Sequence, residues 1–155
     1  MSEKVTNSIP NSLNEHWMPF SANREFKENP RLIVGAKGVY LKDHLGRSQI
    51  DASSGLYCNP LGHGRKEIIA AISKQLEELD YCQPFHQGFG GSFELASKIA
   101  NQTPGDLNKI FYTNCGSTAV ETAIKIAFTY HRLNGNEKRY RFVGREKGYH
   151  GMNIG

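Results

Sequence analysis

Cysteine is scarce in this chain. There are three, Cys58, Cys82 and Cys115, odd in number and far apart. No Cys-x-x-Cys pair occurs, which argues against a disulfide framework and against a thiolate zinc site. The usage suits a reducing compartment, and a cytoplasmic location is expected. Long apolar runs are missing too: no stretch of 18 apolar residues occurs, so no membrane-spanning helix and no membrane partner are expected. Met-Ser-Glu-Lys at the start has no apolar core of the signal-peptide kind. Blocks of like charge are also absent. The net charge of +4 and the pI near 9.0 raise the question of nucleic acid. Lys and Arg are nevertheless interspersed with Asp and Glu, and the densest basic stretch, Lys138-Arg-Tyr-Arg141, reads as a solvated connection before a strand. No nucleic-acid partner is expected. No internal repeat is present.

What is there is enough apolar material for a globular chain. Apolar residues make up 38% and aromatics 10%, which predicts a packed core and excludes global disorder. The length suits about one domain. Residues 1–15 are polar and read as a flexible N-terminal arm. His16-Trp-Met-Pro-Phe20 is abruptly aromatic without helical or strand period, and predicts an irregular segment that buries its rings. Leu32-Ile-Val34, Val39-Tyr-Leu41 and Ser48-Gln-Ile50 predict small antiparallel strands. Their turns fall at Gly35–Gly38 and Asp43–Arg47. Residues 52–65, rich in Gly, Ser and Asn, read as a loop. Ile68, Ile69, Ile72, Leu76 and Leu79 recur at helical spacing and predict a helix over 66–79 with one buried stripe. Residues 80–91 form a loop, after which Ser92 reads as the cap of a helix using Phe93, Ala96, Ile99 and Ala100. Ile110-Phe-Tyr-Thr113 and Arg141-Phe-Val-Gly144 read as buried strands on either side of a helix from about Ala119 to Leu133. That order predicts a right-handed crossover in a parallel sheet.

Two short segments carry the chemistry. Asn114-Cys-Gly-Ser-Thr118 lies between a predicted strand and a helix. A helix start presents unpaired N–H groups and the positive end of the dipole, so a phosphate fits there. Gly116 removes the side chain that would block close approach, and Ser117 adds a hydroxyl. On local sequence the stretch reads first as a plain capped helix, because Thr118-Ala-Val-Glu121 has the capping-box pattern, and a capped helix can still present free amides. The lysine of a P-loop is missing, which argues against a nucleoside triphosphate. Gly148-Tyr-His-Gly151 follows the second predicted strand. Its glycines leave Tyr149 exposed, where a ring can stack on a planar heteroaromatic or simply pack in a turn. His150 reads as an ordinary loop histidine. Together the two segments describe a phosphorylated aromatic cofactor.

With these motifs in the chain, the sequence resembles the N-terminal third of class III aminotransferases, fold type I enzymes that use pyridoxal phosphate (PLP). It is most similar to the β-alanine–pyruvate (ω-amino acid–pyruvate) branch. The resemblance is carried by His16-Trp-Met-Pro-Phe-Ser-Ala-Asn-Arg24, Leu56-Tyr-Cys58, Gly62-His-Gly-Arg65, Leu79-Asp-Tyr81 and Gly144-Arg-Glu-Lys-Gly-Tyr-His-Gly151, in that order. It implies an α/β fold, with a small antiparallel N-terminal unit followed by the start of a mostly parallel large-domain sheet. Residues 16–65 would belong to the small domain, and 66–155 to a truncated PLP-binding domain. It further implies Gly116, Ser117 and Thr118 at the PLP phosphate and Tyr149 on the pyridine ring. Tyr57 and Phe20 would line the substrate pocket, and Phe85 would cross a homodimer interface into the partner's site. The substrates implied are an amino donor and a keto-acid acceptor.

The sequence departs from the family pattern at Cys115, where Ser is usual, at Thr118, where an acidic residue is usual, and at Tyr57, where Trp is common. The resemblance also implies a lysine that anchors the cofactor and an aspartate on its ring nitrogen, both beyond residue 155. Asp43, Asp51, Asp80 and Asp106 all precede the cradle. The chain is therefore expected to be an inactive N-terminal fragment of a transaminase. A non-catalytic dimerising fragment, or a PLP enzyme of another reaction such as an aminomutase, stays open at this point.

Overall fold

Alternating side chains around glycine-centred turns fold residues 33–50 into an antiparallel meander. In the computed structural model, which describes residues 9–154, its strands are β1 (Ile33–Lys37), β2 (Tyr40–Asp43) and β3 (Ser48–Ile50). They lie in that order, with Lys37 opposite Tyr40 and Tyr40 opposite Ile50. An irregularity between Ile33 and Gly35 kinks β1. The first turn is tighter than expected: β1 runs on to Lys37, and Gly38 turns the chain at φ +58°. The second turn is built on Asp43. Its carboxylate accepts the Leu45 and Arg47 amides at 3.0 and 2.8 Å and the Arg47 Nε–H at 2.7 Å.

Four helices accompany the meander: α1 (Asn23–Glu28), α2 (Lys66–Glu78), α3 (Gly90–Ala100) and α4 (Gly116–Leu133). Helix α2 lies where its periodicity places it. Helix α1 has no sequence-based forecast. Its start is pinned by the Asn23 side chain, which accepts the Met18 amide at 2.8 Å and donates to the Met18 carbonyl at 2.9 Å. Helix α3 starts two residues before Ser92. Ser92 Oγ donates backwards to the Phe89 carbonyl at 2.7 Å, so it does not cap. The chain divides into two compact units, with the division in sequence between Tyr81 and Cys82. The first holds α1, the meander and α2; the second holds α3 and α4. Of the arm expected over 1–15, residues 1–8 lie outside the described residues, and Asn14 accepts a hydrogen bond from Lys27 Nζ at 3.0 Å.

Three expectations are corrected. Ile110–Thr113 and Arg141–Gly144 are not strands; both run as irregular chain, and the only sheet among the described residues is the meander. A strand exists through its ladder, and neither segment has one. Phe142 instead sets its ring edge-on to Phe128 of α4, centroids 5.1 Å apart. Second, the aromatic segment does not bury its rings: Trp17 is exposed, and Phe20 is 83% exposed with φ +50°. Third, no apolar side chain among the described residues is fully buried. The stripe of α2 (Ile69, Ile72, Leu76) faces outward, because an amphipathic face needs a second layer over it. The buried residues among those described are Pro30 and two polar ones, Asp43, 3% exposed, and His44.

Burial opposes ionisation of Asp43, but Arg47 and the Arg47 and Leu45 amides hold its pKa below the ordinary 3.8. The Gly55 amide and then His63 lower that of Asp51. A lowered folded-state pKa stabilises the fold at pH values above the unfolded-state pKa. That contribution is lost as pH falls through the folded value. Meander stability, followed by amide chemical shifts, is therefore expected to be flat from neutrality to about pH 4 and to fall below it. Asp43→Asn is expected to lower it at pH 7 and to flatten the acid limb.

Candidate cofactor site

The candidate cradle is the first turn of α4. Cys115 is extended, with φ −161° and ψ 166°, and Gly116, Ser117 and Thr118 are the first three helical residues. The helix thus begins three residues earlier than its capping-box pattern suggests. The first intrahelical bond runs from the Ala119 amide to the Cys115 carbonyl at 3.0 Å. The amides of Gly116, Ser117 and Thr118 therefore belong to the end of the helix that has no preceding turn to bond. The capping box does not form. Thr118 Oγ1 lies 3.3 Å from Cys115 Sγ, and Glu121 turns to Lys125 at 2.5 Å. Thr118's hydroxyl, then its amide, and to a lesser extent the Ser117 amide, hold the Cys115 thiol pKa below its ordinary value. The hydroxyl contributes most, and the two helix-start amides add to it.

A side chain at Gly116 would meet nothing within 4 Å, so open space lies beside the start of the helix at that residue. A Cβ would fill the space that a phosphate needs. The residues present therefore fit an anionic group.

The Gly148–Gly151 segment is fastened to this turn. Gly151 has φ +113°, and a Cβ there would lie 2.8 Å from Ser117 Cα and 2.9 Å from its Oγ. Only glycine permits that approach. The next amide, of Met152, donates to Ser117 Oγ at 3.1 Å. One residue on, Asn153 Nδ2 donates to Glu121 Oε2 at 2.6 Å. Lys125 first, and then Asn153, hold the Glu121 carboxyl below its ordinary pKa. Tyr149, 68% exposed, stands on the segment so anchored.

The structure thus brings together Gly116, Ser117, Thr118 and the segment carrying Tyr149. Phe85 sits in the loop before α3 of the same unit and is exposed. Tyr57 and Phe20 belong to the other unit, Tyr57 at 89% exposure on the loop after β3. Sequence reasoning missed Gly151, Glu121 and Asn153 as parts of the site. Gly151 was legible as a turn residue, but its partner 34 positions away was not.

The chain matches the family described as aminotransferase class-III over residues 21–155. It is 48% identical over 143 residues to a β-alanine–pyruvate aminotransferase of Pseudomonas aeruginosa, covering 92% of this chain and 32% of that protein. It is 49% identical over 142 residues to an ω-amino acid–pyruvate aminotransferase of Pseudomonas putida, with the same coverage. Among solved structures it is similar to an ω-transaminase of Pseudomonas jessenii in complex with PMP. That likeness has a TM-score of 0.87 and 30% identity, and covers 95% of this chain and 33% of the other. The chain spans about a third of the length of the curated relatives it matches.

Proposed function

We propose, from the premise that this chain belongs to the class III aminotransferases, a PLP-dependent family, that it supplies the phosphate cradle and one ring face of a transaminase cofactor site. The parent enzyme would move an amino group from β-alanine or another ω-amino acid to pyruvate. The observation that carries the reading is the seating of Gly151 and Met152 on Ser117, in the first turn of α4 and beside the open space at Gly116.

In this reading the Gly116 and Ser117 amides and the Ser117 hydroxyl bind the phosphate, and Thr118 adds its amide. Tyr149 covers one face of the pyridine ring. When bound, PLP supplies the carbonyl that exchanges for an amine and the electron sink that stabilises charge on the substrate carbon. Tyr57 and Phe20 would line the pocket for the amine, and Phe85 would serve the partner subunit of a homodimer. Tyr57 is smaller than tryptophan and carries a hydroxyl, which favours a somewhat larger or more polar donor.

The chain alone is proposed not to turn over. Lys125, on the cradle helix itself, is engaged by Glu121, and the resemblance implies an anchoring lysine and a ring-nitrogen aspartate that match no residue of this chain.

Gly116→Ala tests the cradle. A Cβ there touches no protein atom, and alanine favours a helix over glycine by up to about 1 kcal/mol. The thermal midpoint is therefore expected to hold or rise slightly. PLP binding, read by absorbance titration and by competition with inorganic phosphate, is expected to weaken about tenfold, the scale of one or two hydrogen bonds to a charged group. Unchanged PLP affinity, or binding insensitive to phosphate, would leave the turn as a plain helix start.

A further inference from the structure

The loop after β3 holds the largest run of strained backbone among the described residues. Ser54, Gly55, Leu56 and Tyr57 have φ values of +51°, +58°, +54° and +69°. Four consecutive residues thus lie in the left-handed region, and three of them carry side chains that disfavour it. The bonds within the run are helical in span: the Tyr57 amide donates to the Ser53 carbonyl at 3.1 Å, Cys58 to Gly55 at 3.3 Å and Asn59 to Ser54 at 2.9 Å. Such a conformation persists only where its surroundings over-determine it.

Those surroundings are three polar side chains. Asp51, its side chain 8% exposed, accepts the Gly55 amide at 3.1 Å and the Ser53 hydroxyl at 3.2 Å through Oδ1. Its Oδ2 lies 3.0 Å from His63 Nε2. Asn59 Nδ2 lies 2.8 Å from His63 Nδ1. An amide nitrogen only donates, so with Asn59 so oriented Nδ1 accepts. Nε2 then carries the proton and donates to Asp51. Both ends of the clamp are tied to the meander. The Asp51 amide donates to the Val39 carbonyl at 2.9 Å, and His63 exchanges two backbone bonds with Gly38 at 2.8 and 2.9 Å.

The geometry points to Asp51, His63 and Asn59 as a positioning clamp that holds residues 54–57 in a left-handed turn and so fixes where Leu56 and Tyr57 are displayed. A turn needed only to reverse the chain would place glycine or asparagine at such positions. Here two large apolar side chains occupy them and face solvent. The clamp's bearing on substrate choice rests on the reading of Tyr57 given above; its conformational role does not.

Backbone amide exchange on the full 155-residue chain tests it, with no cofactor present. In Asp51→Ala, the Tyr57 and Asn59 amides are expected to exchange at least about tenfold faster, the scale of losing hydrogen bonds to a charged acceptor. The Gly46 amide, in the Asp43 turn, should keep its rate. Adding Leu56→Gly should restore much of the protection, because glycine takes the left-handed region without penalty. Equal acceleration at Gly46, no acceleration at Tyr57, or no recovery with glycine would overturn the clamp. Should Asp51→Ala fail to fold, Leu56→Gly in the native background decides. Slower exchange at Tyr57 and Asn59 supports stored strain, and unchanged or faster exchange refutes it. Intact exchange results together with absent PLP binding would remove the transaminase reading alone.

Discussion

A purified chain of these 155 residues, given PLP, β-alanine and pyruvate, is expected to form alanine no faster than PLP does in buffer. Enzymes of ordinary efficiency accelerate their reactions by about a millionfold or more. In a PLP enzyme that acceleration comes from groups that move protons and hold the ring as an electron sink. The cradle supplies neither. In the proposed reading its amides and hydroxyl would only bind and orient, and the Glu121 carboxylate beside it is already committed to Lys125 and Asn153. Binding without proton transfer lowers the concentration of PLP needed, not the barrier. The measurement is alanine formation by coupled assay, with borohydride reduction and peptide mapping beside it. Turnover above the PLP control, or stoichiometric fixation at one lysine, would show that the chain carries its own catalytic base.

Gly151→Ala is expected to be the most damaging single substitution in the cradle. It places a Cβ 2.8 Å from the Ser117 backbone and forces alanine to φ +113°. Backbone strain of this kind costs roughly 1–3 kcal/mol. The segment has a cheaper escape, which is to lift off Ser117. That breaks the Met152–Ser117 and Asn153–Glu121 bonds together and carries Tyr149 away from the helix start. PLP affinity should drop by about ten- to a hundredfold, from the same range of strain. Gly144→Ala is the control, since a side chain there meets nothing within 4 Å. Equal effects of the two substitutions would mean that the fastening does not matter for the cofactor.

Local patterns were legible in the sequence and long-range ones were not. The meander and α2 follow from alternation, turn residues and a 3.6-residue stripe, all readable within a dozen positions. The start of α4 was misplaced because Thr118 and Glu121 spell a capping box. Their side chains instead serve Cys115, Lys125 and Asn153. Ile110–Thr113 and Arg141–Gly144 have strand composition, but composition names no ladder partner. Gly116, Ser117 and Tyr149 were named as candidates from their neighbours in sequence. Glu121 and Asn153 were not, because their pairing spans 32 positions. The left-handed run at Ser54–Tyr57 was hidden most deeply, since one glycine in four residues gives no hint of it. It exists because of His63 and Asp51, outside the run.

The outward stripe of α2 is a stability reserve that this unit has not drawn on. Each large apolar side chain left in water forgoes about 1.5–3 kcal/mol of burial, and whole domains are stable by only about 5–15 kcal/mol. Ile69, Ile72 and Leu76 alone therefore represent a sizeable part of such a margin. A protein layer laid over Ile69, Ile72 and Leu76 would recover that burial, so the α2 face is where this unit has most stability left to gain.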